Sequence, residues 1–488
     1  MDMQEKMSNK SLTSAYDKEE IGRYDDYEQD DVPMSAEEKA LVRKIDLYIL
    51  PIICMIDFFQ YVDKATIQYS ASLNIKQDLS LSPTQYNVIS SIFYLGFLVY
   101  QFPNNFLLQK LPIGRYIGVI IFLWGAVIAC TTAATNFAQV TALRFLLGCF
   151  EAGIYPALTL LVSTFYRKSE QAVRLGLFWI FNGVATVVGG LISYGIQVMP
   201  NDHGIAKWKW LMLILGCCTV LLSAVTFFFL IDNPKSPALQ LNPEQEILVE
   251  ERIRDNGVVR TSAIKKEQMF EALKEFRFWA FMVSCLFITI QNGAMVSYIP
   301  LIAMDFGFTG IQSIFITLGS GLSFIVWIGL AVFLSKKTKQ LFYIIALCMC
   351  IDILGLILLV ALPDVRTKLI GVYLSNGFGG AYVLMMTALS NNVSGYTKKI
   401  FYNGVFMVFY TIGNFVGPFL MVDSTKPVYL PAMLTYIICN CIVILLMLLV
   451  RAQMAKVNRE RISNPSSTVT NVEDNLTDVQ DPNFIYRL

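Results

Sequence analysis

Six charged side chains interrupt the long apolar runs of this sequence: Asp57, Asp63 and Lys64, then Arg144 and Glu151, then Asp352. An ionised group at mid-bilayer costs ~2.5–3.5 kcal/mol even on a lenient insertion scale, so each needs a partner or a task. Arg144, Gly148, Glu151 and Tyr155 recur at i, i+4, i+7 and i+11, which puts them on one helical face. A fixed cation and a titratable acid then lie about 10 Å apart along one wall. Asp63-Lys64 adds a second acid and cation in the same half of the chain. Two readings fit this set. In one, the cations grip a carboxylate while an acid loads and unloads a proton. In the other, Asp63 and Glu151 neutralise Arg144 and Lys64 as a buried salt-bridge network. Asp57 and Asp352 have a plainer reading as residues near helix ends that face water or snorkel. Gln101, Asn182, Gln291, Asn292, Asn376 and Asn414 are amides inside spans, each able to bond a ligand or tie two helices together. Tyr61 and Tyr94 could cap a pocket, although core packing accounts for both.

The elements that must position these residues follow from composition. The 488 residues are 55% hydrophobic and only 15% charged, against about 25% charged in a soluble domain. A water-soluble enzyme is excluded. With 38 Lys+Arg against 37 Asp+Glu, the chain has no basic field for nucleic acid. The single histidine, His203, rules out His-rich metal sites. All ten cysteines lie in apolar stretches and read as core hydrophobes, with no disulfide framework or metal cluster. Residues 1–38 carry twelve acids, four bases and no apolar core, so no secretory leader is expected there.

A bilayer core of ~30 Å needs about 20 apolar residues. Twelve segments meet this: about 46–73, 86–108, 113–134, 138–165, 173–198, 208–232, 277–303, 311–334, 341–361, 367–390, 400–422 and 429–451. Ser35-Ala-Glu-Glu38 and Ser82-Pro-Thr-Gln85 are capping-box patterns before the first two spans. The stretches flanking the first and last spans and the even-numbered loops hold 25 Lys and Arg against six in the odd loops, which predicts that both termini are cytoplasmic. The sequons at Asn9, Asn392 and Asn475 would then stay unmodified. The expected organisation is an acidic tail over 1–40, six helices over 41–232, a central loop over 233–276, six more helices over 277–452 and a disordered tail over 453–488. The central loop should hold a short helix capped by Asn242, with Pro243 in its first turn. The two halves repeat one loop pattern. The predicted fold is all-α, with twelve transmembrane helices in two pseudo-symmetric six-helix bundles, as in a secondary transporter.

Four stretches carry a family resemblance. They are Arg144-Phe-Leu-Leu-Gly148-Cys-Phe-Glu151-Ala-Gly153-Ile-Tyr-Pro156 with Phe165-Tyr166-Arg167-Lys168 and Glu170…Arg174; Phe93-Tyr94-Leu-Gly96…Gln101-Phe-Pro103-Asn104-Asn105; Glu250-Glu-Arg252-Ile-Arg254-Asp-Asn256; and Asn392-Val-Ser-Gly395-Tyr-Thr397-Lys398-Lys399. Over residues 40–450 the chain resembles the anion:cation symporter family of the major facilitator superfamily. Tyr61-Val62-Asp63-Lys64 is most similar to its fungal allantoate permease branch. The resemblance implies proton-coupled uptake of a small organic anion such as a ureido acid, a vitamin-type acid or another carboxylate. It implies proton coupling through Asp63 and Glu151, and substrate contacts at Arg144, Lys64, Tyr61, Asn182 and Asn414. It implies no cofactor beyond the proton gradient, a lipid-embedded monomer and a plasma-membrane location. Many members carry Arg where this chain has Lys64, and an ammonium cannot make a guanidinium's bidentate fork.

Two rivals share features with this reading. A drug/proton antiporter of the same fold would resemble a Gly-Pro-rich fifth span, and Gly183–Gly195 holds no proline. A non-transporting nutrient sensor would carry larger cytoplasmic extensions. A nucleotide-driven pump lacks its phosphate loop, and no nucleophile–base pair points to an enzyme. The acidic N-tail, with Lys6, Lys10 and Lys18, reads as a solvated segment or as a turnover signal.

Overall fold

A computed structural model of the chain describes residues 35–200, 204–255, 265–464 and 476–488. The tail lysines Lys6, Lys10 and Lys18, His203, and the sequons at Asn9 and Asn475 lie outside the described residues. Helices are the only regular secondary structure among those described. Each expected span has its counterpart. The first half comprises Ala36–Lys64 continued by Thr66–Ser72, Pro83–Lys110, Ile113–Thr131, Phe137–Glu151 continued by Ile154–Phe165, Lys168–Val198 and Lys207–Phe229. The second comprises Phe276–Asp305, Gly310–Thr338, Leu341–Ala361, Val365–Leu374 continued by Gly377–Asn392, Tyr396–Val416 and Leu430–Ser463. Among the described residues eleven helical segments are long and apolar enough to cross a membrane, and the second span is a further helix of 28 residues.

Packing repeats between the halves. Spans one and five, two and four, and three and six lie along each other, as do seven and eleven, eight and ten, and nine and twelve. The halves join through span five against eight and span two against eleven. Spans two and four approach closely because each places a glycine at the crossing. A methyl on Gly96 would run into the Phe145 carbonyl, and one on Gly148 into that of Phe93. The expected capping box at Ser82 is complete: Gln85 N donates to Ser82 Oγ at 3.2 Å and Ser82 N to Gln85 Oε1 at 2.9 Å. At Ser35 the hydroxyl accepts from Glu38 N at 3.0 Å, while the Glu38 carboxylate turns to Arg252 at 2.7 Å and Arg167 at 3.2 Å.

We call the face bearing residues 35 and 464 the near face, and the opposite one the far face. Hydrogen bonds join the halves at the middle and toward the far face. Tyr86 donates to Ser297 O at 3.1 Å, Tyr298 to Asn87, Lys64 to Tyr410 at 3.0 Å, and Ser72 pairs with Ser313 at 3.4 Å. On the near face the central loop bridges instead. Its first helix, Pro243–Asp255, begins where expected and inserts Arg252 between Glu38 and Glu170. A second helix, Lys266–Lys274, was not evident in the sequence; Gln268 on it accepts from Lys398 N at 3.3 Å.

The C-terminal region corrects the expectation of a disordered tail. The helix of span twelve continues to Ser463, and residues 476–488 pack against the near face of the second half. Asp478 is buried and bonds Arg277, Lys398 at 3.0 Å and Tyr486 at 2.8 Å. Asn458 exchanges two hydrogen bonds with the Tyr486 backbone, and Asn392 two with that of Arg487. The segment's polar composition suggested solvation, but its partners are side chains that the spans hold ready at their ends. The Arg277 and Lys398 charges hold the Asp478 carboxyl below its ordinary 3.8, although burial pushes it the other way.

Candidate functional site

Two of the expected site residues stand at helix breaks. Span one ends its first helix at Lys64 and resumes at Thr66. Span four breaks directly after Glu151, at Ala152-Gly153, where Pro156 has no N–H to give to the Ala152 carbonyl. A break frees backbone acceptors, and Arg144 uses one of them. Its guanidinium donates to the Lys64 carbonyl and to Thr66 Oγ1, both at a long 3.4 Å. It also lies over the Phe93 ring, 5.6 Å from the centroid. Gly148, one turn on, is what lets Phe93 come so near.

Lys64 is 8% exposed and Arg144 3%, while Asp57, Asp63 and Glu151 are wholly enclosed. Lys64 Nζ reaches across to Tyr410 Oη in the other half, between the rings of Tyr94 and Tyr410 at 5.1 and 5.5 Å from their centroids. Among the described residues none of these cations comes within 4 Å of a carboxylate of the set. The buried salt-bridge network considered from the sequence is therefore not what the structure forms. Both Glu151 oxygens lack a hydrogen-bond partner, yet Glu151 feels the charges of Lys64, Arg144 and Asp63.

Asp63 turns away from Lys64. Its Oδ2 accepts from Thr219 on span six at 2.8 Å, and the indole of Trp124 on span three lies beside it. The second half repeats this knot with the acid on a different helix. Asp352 on span nine accepts from Gln291 on span seven at 2.8 Å and from Asn440 on span twelve. Trp124 and Asp352 each stand eleven positions beyond the first residue of their helices. Asp352 is fully enclosed, not a water-facing or snorkelling residue.

Tyr61 is half-buried within reach of Lys64, Asp57 and Thr186. Asn182 is buried one turn before Thr186, and its side-chain oxygen has no hydrogen-bond partner. Asn414 is differently placed: its amide is taken up by Asn292 at 2.7 Å and the Tyr410 carbonyl at 2.8 Å, which ties spans seven and eleven. Asn376 ties span ten to Ser320 and Ser323 of span eight. Asp57 belongs to the central group. It stands at i−4 from Tyr61 and i−7 from Lys64, so the three share the inner face of span one. The same periodicity that grouped Arg144 with Glu151 was available to find it.

The structure thus has twelve spans in two packed halves, with polar side chains gathered between them. The family model of the Major Facilitator Superfamily matches residues 53–418. The chain belongs to that superfamily. Its relatives are transporters, not enzymes. An uncharacterised transporter of Schizosaccharomyces pombe is 32% identical over 83% of this chain and 77% of its own length. The allantoate permease of Saccharomyces cerevisiae is 28% identical over 93% of this chain and 87% of its own. The high affinity cysteine transporter of that yeast is 27% identical over 92% and 85%. Among solved structures, a bacterial homologue of the human lysosomal transporter Spinster, in an inward-facing and unoccupied conformation, superposes with a TM-score of 0.64. It is 14% identical, over 82% of this chain and 96% of that one. The likeness to it is one of fold. The fold and the fungal-transporter resemblance read from the sequence are borne out.

Proposed function

We propose that this major facilitator protein takes up a small organic anion by proton symport and alternating access. The observation that carries the reading is the pair of buried cations, Arg144 and Lys64, which no carboxylate among the described residues bridges within 4 Å, with Glu151 in electrostatic range of both. Hydrogen bonds and ring faces hold these cations, but a buried charge without a counter-ion is unfavourable, and a bound anion would complete it. The substrate carboxylate would pair with Arg144 and Lys64, while Glu151 and Asp63 exchange the proton. The kinship with an allantoate permease supports a carboxylate substrate.

The excess of Lys and Arg in the near-face loops supports a cytoplasmic placement of that face, and we take the membrane to be the plasma membrane. The hydrogen bonds that join the halves toward the far face support that face being the closed one. In the proposed cycle the proton gradient is the only energy source. Protonating Glu151 or Asp63 would remove a negative charge from the region of the cations and free the loaded carrier to reorient.

The test is uptake of labelled small carboxylates by transporter-deficient yeast expressing the chain, at pH 5 and pH 7.5, with and without a protonophore. Accumulation favoured by acid and collapsed by the protonophore supports symport. Uptake indifferent to both would move the exporter and sensor readings ahead.

A further inference from the structure

The proposed cycle gives no task to Asp57. This carboxylate is wholly enclosed in span one, and neither oxygen has a hydrogen-bond partner. One turn on, Gln60 is 2% exposed and its side-chain oxygen is likewise unpartnered. Glu151, on span four, has two more such oxygens. Tyr155 lies within electrostatic reach of both Asp57 and Glu151, and Lys64 within reach of both acids. The Lys64 ammonium is already engaged, however, by Tyr410 Oη and two aromatic faces. The group therefore presents several buried acceptors and no donor committed to them.

Burying an unpaired carboxylate is unfavourable by several kcal/mol, so a group built this way is completed by what it binds. Acceptors of negative charge framed by tyrosine rings suit a cationic nitrogen, which gains from both the carboxylates and the ring faces. The Arg144 side of the same interface suits the opposite charge.

We propose that the substrate is a small amine-bearing carboxylate, its protonated amine held by Asp57 with Gln60 and Tyr155, and its carboxylate directed to Arg144. This rests on the anion-uptake reading above and narrows it: the transported molecule is a zwitterion. Asp57 is a binding and selectivity residue, separate from the proton-coupling acids.

The experiment uses the full-length protein in proteoliposomes and a labelled panel of matched short-chain carboxylates. Each skeleton appears once with an amine at carbon 2, 3 or 4 and once with a hydroxyl there. The carried compounds should come from the amine arm. Asp57→Asn should raise their KM about tenfold or more, the loss expected for one charge-assisted bond, while Asp57→Glu restores most of it. Hydroxyl compounds carried as well as their amine partners would overturn the proposal using the native protein alone, whatever the folding of the variants. An unchanged amine preference in a monodisperse Asp57→Asn protein would overturn it too, as would transport of neither arm. Acid-driven accumulation of hydroxyl compounds would sink the Asp57 assignment but leave symport standing. Amine uptake that ignores the proton gradient would do the reverse.

Discussion

Asp63 and Lys64 are neighbours in sequence that serve different halves of the molecule. The Asp63 carboxylate accepts from Thr219 within the first half at 2.8 Å, while Lys64 Nζ donates to Tyr410 in the second at 3.0 Å. Successive residues on a helix point about 100° apart, and the break at Ala65 follows directly. The pair is thus a junction: one member anchors span one to its own scaffold, and the other reaches across the interface.

Removing that reach should loosen the closed far face. Tyr410→Phe deletes the acceptor of a buried charged donor, a loss of about 1.5–3 kcal/mol. Cysteines placed at Ser72 and Ser313, whose hydroxyls lie 3.4 Å apart, should cross-link more slowly in the Tyr410→Phe background. An unchanged cross-linking rate would show that the far face closes without Lys64.

Asp63 and Asp352 occupy corresponding knots, but only Asp63 borders the cations, so their amide variants should part ways. Asp63→Asn is expected to flatten the pH dependence of uptake while leaving thermal stability nearly unchanged. Asp352→Leu strips Gln291 and Asn440 of their shared acceptor and should lower stability by about 1–3 kcal/mol. Uptake by that variant should still follow pH. Thermal unfolding in detergent, paired with uptake at two pH values, reads both effects.

The crossing of spans two and four has no room for a methyl group. Gly148→Ala would press its Cβ into the Phe93 carbonyl, and overpacking of this kind typically destabilises by about 1–3 kcal/mol. A lower unfolding temperature and weaker substrate binding should appear together, because Phe93 also supports Arg144.

Segment 476–488 should be held by charge. Asp478 titrates below its ordinary 3.8 when docked, because Arg277 and Lys398 together outweigh its burial. Its contribution is therefore complete above pH 3.8 and is lost as pH falls through the docked value. Hydrogen exchange of 476–488 should be slow at pH 7, and fast there in Asp478→Asn, since removing one partner of a buried ion pair costs about 3–5 kcal/mol. Equal protection in the variant would contradict the assignment.

Much of this was legible in the sequence, and the reason lies in range. The spans, the Ser82 cap and the Arg144–Glu151 stripe are set by residues within a few turns of one another. The direction in which Asp63 turns depends on Thr219, 156 residues away, and Asp478 docks on Arg277, 201 residues away. No local pattern encodes such pairings. Asp57 is the exception: its alignment with Tyr61 and Lys64 is a matter of helical period, and was obscured by reading it as a helix-end residue. The breaks at Ala65 and Ala152 were hidden for another reason, because an apolar run looks alike whether its helix is continuous or interrupted.

Proton coupling through Glu151 is the central claim, and the Glu151→Gln variant in proteoliposomes tests it most directly. With a carried substrate on both sides, the account predicts that the variant exchanges labelled for unlabelled molecules at near-native rates but fails to concentrate them against an inward proton gradient. Concentrative uptake that survives in Glu151→Gln, still collapsing with a protonophore, would contradict it and place the coupling proton elsewhere.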